Sequence, residues 1–318
     1  MPTYRPRHNV RRRRWRPSTL IILVAIIALI GATTLTYSPA ARWLAAYNQS
    51  LVIARYSEAL TKVRPTPSEQ VREAHRYNDA LSSGAILEAN THVPTGSGTS
   101  SHQIYDYWRL LRAPNEVMSR IQIPAIDVDL PIYHGTSDAT LLKGAGHLQG
   151  TSLPVGGKST HAVITAHRGL ADATMFTDLD KVKKGDRFTL STFGKVSTYE
   201  VYDIRVVKPE DSATLRQQAG EDLVTLVTCT PLGISTHRIL VTGTRILPAP
   251  PEDVSAAKNS EAELGFPWWA VSYLAALLLI GVYTGWAGRV FPPRGLHFAP
   301  RGKRRRRSRL RRAGGVGR

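Results

Sequence analysis

Hydrophobic positions form two long uninterrupted runs, one near each end of the chain. Between Arg16 and Arg42, and again between Glu263 and Arg289, 25 consecutive residues carry no charge. A helix needs ~20 apolar residues to cross a bilayer. Long charge-free runs are rare in soluble folds, so two transmembrane helices are predicted, at 18–38 and 266–288, rather than two buried core helices.

The region between the two runs begins with helical patterns. Residues 41–63 predict an amphipathic helix, and residues 68–84 a second helix that Ser68 caps and Gly84 ends. A polar Gly/Ser loop follows at 91–102. The apolar face predicted for the first of these helices consists of Leu44, Tyr47, Leu51 and Ala54.

From Val117 onward, alternating apolar and polar positions predict short strands. Many short strands with few helices between them are typical of a closed or nearly closed β-barrel, so the fold class is mainly β. A Pro- and acid-rich segment at 248–265 is predicted to be a linker to the second apolar run. Further strand candidates are 161–166, 187–193, 198–207, 222–228 and 238–246.

The net charge of +18 comes from the two ends of the chain. Residues 1–36 carry seven Arg and residues 267–318 carry twelve Lys or Arg, with no acid in either, whereas the middle is close to neutral. Basic runs beside membrane spans are orientation signals, which argues against nucleic-acid binding. Both termini are predicted to be cytoplasmic, with the region between the spans outside. A cleavable signal peptide ending near Ala40 is the less favoured alternative for the first run.

Cys229 is the single cysteine in 318 residues. One cysteine cannot form an internal disulfide, so two interpretations remain: a small buried hydrophobe, or a nucleophile with a base and an oxyanion-stabilising partner. "HAVITAHRGL" predicts a strand that runs into a loop at His167, and "DLVTLVTC" a second strand that ends at Cys229. After a short loop, Arg238 opens the next strand and would lie back opposite the cysteine.

The structural alternatives are that His167 is a loop histidine hydrogen-bonded to the backbone and that Arg238 is a surface charge on a strand. His237 is adjacent to Arg238 and should face the other way, because neighbouring strand residues alternate. Neither a metal site nor a cofactor is predicted, since ligand spacing is absent.

"TLVTCTPLGISTHRILVTGTR" closely resembles the sortase signature around the catalytic Cys and Arg. "GAGHLQGTSLPVGGKSTHAVITAHRGL" resembles the stretch around the sortase catalytic His, and "IQIPAIDVDLPIYHGT" the first barrel strands. The resemblance covers 105–247 and implies a sortase-like barrel with Cys229, His167 and Arg238 as the catalytic residues. The second span after the barrel resembles class C, the pilin-polymerising sortases.

The class C resemblance also implies a lid over the active site. Its usual Asp-Pro-aromatic tripeptide does not occur here. "YDYW" at 105–108 offers Asp106 and Trp108 as tentative lid or substrate-binding residues.

As a sortase, the protein is expected to be a membrane-anchored cysteine transpeptidase. It would cleave a Leu-Pro-x-Thr-Gly-like sorting motif between Thr and Gly and pass the acyl group to an amine, by class C analogy a pilin lysine. The alternatives are a housekeeping-type sortase that attaches surface proteins to the cell wall and, less favoured, a non-enzymatic wall-displayed protein. In a papain-like protease the catalytic Cys precedes the His in the chain, whereas here the candidate His167 precedes Cys229. The implied division is a basic tail (1–17), a signal anchor (18–38), a helical lid segment (39–116), the barrel (117–247), a linker (248–265), a second span (266–288) and a basic tail (289–318).

Overall fold

A computed structural model of the chain describes residues 15, 17–82, 85–86, 95–96, 99–100, 106–211, 213–258 and 265–289. The predicted basic tails and most of the Gly/Ser loop therefore lie outside the described residues, as does Tyr105. Contacts divide the chain into two compact units, one of residues 1–29 with 277–318 and one of residues 30–276. In the first unit, the Trp15 indole donates to the Thr284 carbonyl oxygen at 3.3 Å.

Helix α1 (Thr19–Ala59) is one continuous helix of 41 residues, which passes through Pro39. The predicted span and the amphipathic segment after it are therefore parts of the same element. Helix α5 (Trp268–Ala287) contains the second apolar run. Both helices are long and apolar enough to cross a membrane.

The apolar face predicted for the second half of α1 is not the face that is buried against the barrel. Leu44, Tyr47 and Leu51 are at least 40% exposed, whereas Ile53 and Tyr56 are buried. This part of α1 carries two apolar stripes, and helical spacing alone does not determine which of them meets a neighbour.

Helix α2 (Pro67–Ala80) begins at a capping box rather than at the predicted Ser68. The Thr66 side chain accepts from the Glu69 amide, and the Glu69 carboxylate accepts from the Thr66 amide. These bonds satisfy two groups that the first turn leaves open. After α2, short strands pair in two-residue ladders: β1 (Leu81–Ser82) with β4 (Thr99–Ser100), and β2 (Ala85–Ile86) with β3 (Thr95–Gly96).

Eight strands form a closed barrel, which confirms the predicted fold class. Their order around the barrel is β10, β12, β11, β8, β7, β6, β5 and β9, with β9 paired back to β10. A four-residue helix, α3 (Asp138–Leu141), lies between β6 and β7. The strands are β5 (Val117–Ile123), β6 (Val128–His134), β7 (Ala145–His147), β8 (Thr160–Thr165), β9 (Arg187–Thr192), β10 (Lys195–Val207), β11 (Asp222–Thr230) and β12 (His237–Arg245).

The barrel buries apolar side chains on both faces of β8, β11 and β12. Alternate residues of β11, such as Val224 and Leu226, belong to the main core, whereas Val227 belongs to a separate cluster on the outer face. Gly243 on β12 is needed inside, since a Cβ there would come within 2.6 Å of the Phe188 ring. The outer cluster consists of Leu148, Val163, Val207, Leu215, Val227 and Leu240.

The segment predicted as a linker contains a helix, α4 (Pro251–Lys258). The Arg120 guanidinium donates to the Ala257 carbonyl oxygen at 3.0 Å and pairs with the Asp129 carboxylate. The C-terminal end of α4 is therefore docked on the barrel through the buried Arg120 side chain. Composition alone did not reveal this docking.

Tyr107 anchors the segment before β5 to the barrel. Its hydroxyl accepts from the Gly135 amide at 3.0 Å and lies 3.0 Å from both Nδ1 and the carbonyl oxygen of His147. The His147 ring Nε2 lies 2.8 Å from the Ser152 carbonyl oxygen, so the neutral ring donates there and its Nδ1, beside the Tyr107 hydroxyl, carries no proton. The neighbouring His134 ring donates to the Leu110 carbonyl oxygen at 2.7 Å.

Burial lowers the pKa of both His134 and His147 to about 4. In the unfolded chain each histidine takes up a proton near pH 6.5. We therefore expect the free energy of unfolding to decrease as the pH falls from about 6.5 towards 4, because only the unfolded state binds the protons in that window. Urea unfolding of the full chain in detergent, repeated across this range, measures the slope.

The variant carrying His134→Gln and His147→Gln should show a shallower slope than the wild type. His237→Gln, at the start of β12, should leave the slope unchanged and serves as the control. An equal slope in the double variant and the wild type would contradict the assignment.

Candidate active site

Hydrogen-bond register pairs two of the predicted residues directly. Cys229 on β11 lies opposite Arg238 on β12 in the antiparallel ladder. Paired side chains on one face of a sheet have Cβ atoms about 5 Å apart, so these two residues are neighbours. On its other side β11 runs parallel to β8, with Val227 beside Thr165 as the last pair. His167 follows two residues after Thr165, just as Cys229 follows two residues after Val227.

The site is on the outer face of the barrel, not in its interior. Cys229 alternates with Thr228 and therefore shares the face of Val227, where the outer apolar cluster lies. Cys229 is a free thiol that is 8% exposed, and Arg238 is 1% exposed. The outer apolar cluster lies on the same face as the thiol, and the low exposure of Cys229 means that little water reaches it.

Arg238 is held in place by the loop that joins β11 to β12. Its Nη1 donates to the Ser235 carbonyl oxygen at 2.8 Å and to the His237 carbonyl oxygen at 3.1 Å. Arg238 therefore sits beside Cys229 as a rigid planar cation rather than on the surface. His237 faces away from it, as alternation predicts, and its ring lies 3.0 Å from the Thr236 hydroxyl.

His167 opens a loop that folds back on itself beyond the end of β8. Its carbonyl oxygen accepts from the Phe176 amide at 3.0 Å. Two residues later, the Gly169 amide donates to the Thr177 hydroxyl at 3.0 Å. These bonds close the His167 loop, residues 167–177, in which the backbone on either side of the histidine is fixed.

Arg168 ties the His167 loop to the residue that follows Cys229. Its Nη1 donates to the Thr230 hydroxyl at 3.0 Å, its Nε donates to the Thr177 carbonyl oxygen at 3.0 Å, and its Nη2 lies 2.6 Å from the Asp180 carboxylate. Two residues before Thr230 on β11, the Thr228 hydroxyl donates to the Ala166 carbonyl oxygen at 2.9 Å. Arg168 was not among the residues predicted from the sequence. A guanidinium directly after the candidate histidine was the available signal.

Helix α1 also contacts the His167 loop. The Ser38 hydroxyl donates to the Ala171 carbonyl oxygen at 2.6 Å, and the Gln49 amide nitrogen lies 3.6 Å from the Met175 sulfur. The long N-terminal helix therefore supports the loop that carries His167, in addition to packing on the barrel.

Asp106 and Trp108 lie at the end of β6. The Asp106 carboxylate accepts from the Trp108 amide at 3.0 Å, and the Trp108 ring packs 6.2 Å from the His134 ring. Trp108 is 49% exposed and lines a cavity of about 170 Å³ together with Arg112. Strands β7 and β8 separate β6 from β11 in the barrel, so Trp108 contacts a different part of the barrel from the strand that carries Cys229. The lid role of these two residues stays a prediction.

His161 has a structural environment within the barrel. Its ring nitrogens lie 2.9 Å from the Arg216 carbonyl oxygen and 2.7 Å from the Thr225 hydroxyl, and burial lowers its pKa. Among the residues that the structure describes, no group of three or more His, Cys, Asp or Glu side chains is arranged to hold a metal ion.

Comparisons with known proteins identify this arrangement. A family model described as Sortase domain matches residues 121–246. Among solved structures, sortase C-1 from Actinomyces oris is 49% identical, with a TM-score of 0.51, over 57% of this chain and 99% of its own. The chain belongs to the sortase family. Sortase C1 of Streptococcus agalactiae is 41% identical, with a TM-score of 0.56, over 64% of this chain and 98% of its own.

Sortases are transpeptidases, so the predicted enzyme class is confirmed. The class C resemblance is confirmed as well, because close structural neighbours are class C enzymes. Sortase A of Streptococcus agalactiae is a more distant relative, 29% identical over 211 residues that make up 63% of this chain and 82% of that protein.

Proposed function

We propose that Cys229, His167 and Arg238 form the catalytic centre of a transpeptidase that acts on a Leu-Pro-x-Thr-Gly-like sorting motif. The observation that carries the proposal is the pairing of Cys229 with Arg238 across β11 and β12, together with the parallel strand β8 that ends two residues before His167. A thiol becomes a nucleophile when a basic or cationic partner favours its thiolate. A histidine on one side and a guanidinium on the other supply such partners, which the alternative of a small buried hydrophobe does not require.

In the first half of the reaction, the Cys229 thiolate attacks the carbonyl carbon of the motif threonine. The resulting oxyanion lies within reach of Arg238, whose planar fork can donate two hydrogen bonds. The protonated His167 ring gives its proton to the glycine nitrogen, the C–N bond breaks, and the glycine leaves as an amine. The threonine remains on the enzyme as a thioester with Cys229.

In the second half, an amine attacks the thioester carbonyl carbon. The neutral His167 ring takes the proton that the amine loses, the C–S bond breaks, and the thiolate of Cys229 returns. A new amide joins the threonine to the acceptor. The apolar cluster of the outer face favours the amine over water, because it limits hydration of the thioester.

Cys229→Ala should abolish turnover of a Leu-Pro-x-Thr-Gly peptide while the fold is retained, because no other thiol is present in the chain. Arg238→Lys should lower kcat by roughly 10²–10³, since it keeps the charge but loses the planar fork. Peptide cleavage and transfer to an added amine, with circular dichroism of each variant, measure both effects.

Arg120→Lys is the matched control, because Arg120 is an equally buried arginine that pairs with Asp129 far along the barrel wall. It should lower stability and leave kcat close to the wild-type value. Transpeptidation by Cys229→Ala at the wild-type rate would overturn the proposed centre.

The membrane arrangement is proposed from the two apolar helices and the charges beside them. Each span would be bordered on its far side by a basic terminus, seven Arg in residues 1–36 and twelve Lys or Arg in 267–318. Basic loops stay on the cytoplasmic side, so the barrel would be outside the cell with the first span as an uncleaved anchor. The domain limits stated above, from the tail at 1–17 to the tail at 289–318, are part of this proposal.

External protease added to intact protoplasts should remove the barrel and spare both basic tails. Antibodies against a tag at each terminus and against the barrel, applied to the same blot, measure the outcome. Protection of the barrel in intact protoplasts would reverse the orientation, and a mature chain that begins after Ala40 would favour a cleaved signal peptide.

We propose pilin polymerisation as the biological reaction, with wall anchoring of surface proteins as the second candidate. Structural neighbours that are pilus-related sortases support polymerisation, among them a pneumococcal sortase C described in terms of pilin substrate specificity. The long segment before the barrel and the second span support it too, since simple wall attachment requires neither.

Cells that lack this protein should lose the high-molecular-weight ladder of pilin polymers on a denaturing gel. A plasmid copy of the wild type should restore the ladder, and a Cys229→Ala copy should not. Persistence of the ladder together with release of surface proteins into the medium would indicate the anchoring function instead.

The lid prediction for Asp106 and Trp108 has a direct test in the reactivity of Cys229. If these residues cover the site, replacing both with Ala should speed alkylation of the thiol in the free enzyme. Mass spectrometry of the alkylated protein against time gives the rate, with Trp43→Ala as the control aromatic on α1. An unchanged rate would reject the lid and leave the transpeptidase proposal intact.

A further inference from the structure

Helix α1 contacts the barrel domain at three positions along its length, and the helical rise gives the distance between them. The Ser38 hydroxyl meets Ala171 in the His167 loop, whereas the Tyr56 hydroxyl accepts from the Phe193 amide at 2.8 Å in the β9–β10 turn. Eighteen residues separate Ser38 from Tyr56, which is about 27 Å of helix at 1.5 Å per residue. Gln49 meets Met175 between these heights. The barrel therefore lies along α1, with the His167 loop towards the apolar half of the helix.

The height of Ser38 corresponds to the edge of a bilayer. The proposed span 18–38 is 21 residues, about 31 Å long, which matches a hydrocarbon core of about 30 Å. Trp43 lies five residues further out, where its indole donates to the Gly265 carbonyl oxygen at 2.8 Å and its ring centroid is 6.3 Å from that of Trp269. Aromatic belts of this kind mark the membrane–water interface. Ser38 is about 7 Å on the lipid side of this belt.

We propose that residues 169–173 of the His167 loop contact the lipid headgroups, so that the loop that begins at His167 faces the membrane surface. The proposal rests on the membrane anchoring stated under Proposed function. Gly169, Ala171 and Asp172 are exposed in this loop, whereas Leu170 packs against the main core of the barrel.

The positive charge of Arg42 lies at the height of Ser38, where a phospholipid surface would be. Arg42 is exposed, and its Nη2 and Nε donate to the Ser38 hydroxyl at 2.8 and 3.2 Å, so the guanidinium is fixed beside the loop. A cation at the interface attracts anionic headgroups.

The single cysteine makes the placement measurable. In a Cys229→Ala background, Ala171→Cys and Lys195→Cys each give one thiol for an environment-sensitive fluorophore. Lys195 is the matched control, because it is exposed in the β9–β10 turn at the height of Tyr56. Asp172→Cys, at the neighbouring exposed position, covers the case in which the first variant fails to fold.

The labelled full-length proteins are reconstituted into vesicles of phosphatidylcholine and phosphatidylglycerol that contain lipids with a nitroxide on the headgroup or deep in the acyl chain. We expect the headgroup nitroxide to quench position 171 or 172 at least threefold more than position 195, and the deep nitroxide to quench none of them strongly. Equal quenching at 171, 172 and 195, or failure of the protein to float with the vesicles, would overturn the placement.

These variants need no enzymatic activity, so the measurement is independent of the catalytic proposal. A wild-type enzyme that does not join a Leu-Pro-x-Thr-Gly peptide to an amine would remove the proposed function and leave the quenching result standing. The reverse result, an active enzyme with no quenching at 171 or 172, would remove only the membrane placement.

Discussion

The pairing of β11 with two different neighbours is the constraint on which the site depends. Parallel pairing with β8 brings the segment that leads to His167 alongside β11, and antiparallel pairing with β12 sets the height of Arg238. Because side chains alternate with a period of two, a slip of one residue in either ladder would turn a proposed catalytic group to the opposite face. Such a slip would be costly because it would move the core residues of β11, such as Leu226, to the outer face and the outer-cluster residue Val227 into the core.

Backbone pairing ends before the site is complete. The last paired residue of β8 is Thr165, two residues before His167, so the ladder alone does not fix the histidine. Two hydrogen bonds connect the segment around His167 to β11: Arg168 donates to the Thr230 hydroxyl, and the Thr228 hydroxyl donates to the Ala166 carbonyl oxygen. The Arg168 side chain is only 7% exposed, and hydrogen bonds to a buried charge are worth about 1.5–3 kcal/mol each.

The sequence was informative where one local pattern decides the structure. Alternation predicted the strands to within a few residues, and the short loop after Cys229 predicted that Arg238 would lie opposite it, as the ladder shows. It failed where a distant partner decides: the buried stripe of α1 is set by the barrel, and α4 is held by Arg120, more than a hundred residues away. Arg168 was missed for the same reason, because its partners at Thr177, Asp180 and Thr230 become neighbours only after folding.

A barrel filled by its own core cannot hold a peptide inside, which explains why the site is on the outer face. There the thiol would be open to water unless loops covered it, and Cys229 is nevertheless only 8% exposed. The loop before Arg238 and the His167 loop approach each other, since a Cβ on Gly169 would come within 2.5 Å of Leu232. Strand register therefore pairs the thiol with the guanidinium, whereas loop contacts and helix α1, through Ser38, hold the segment that begins at His167.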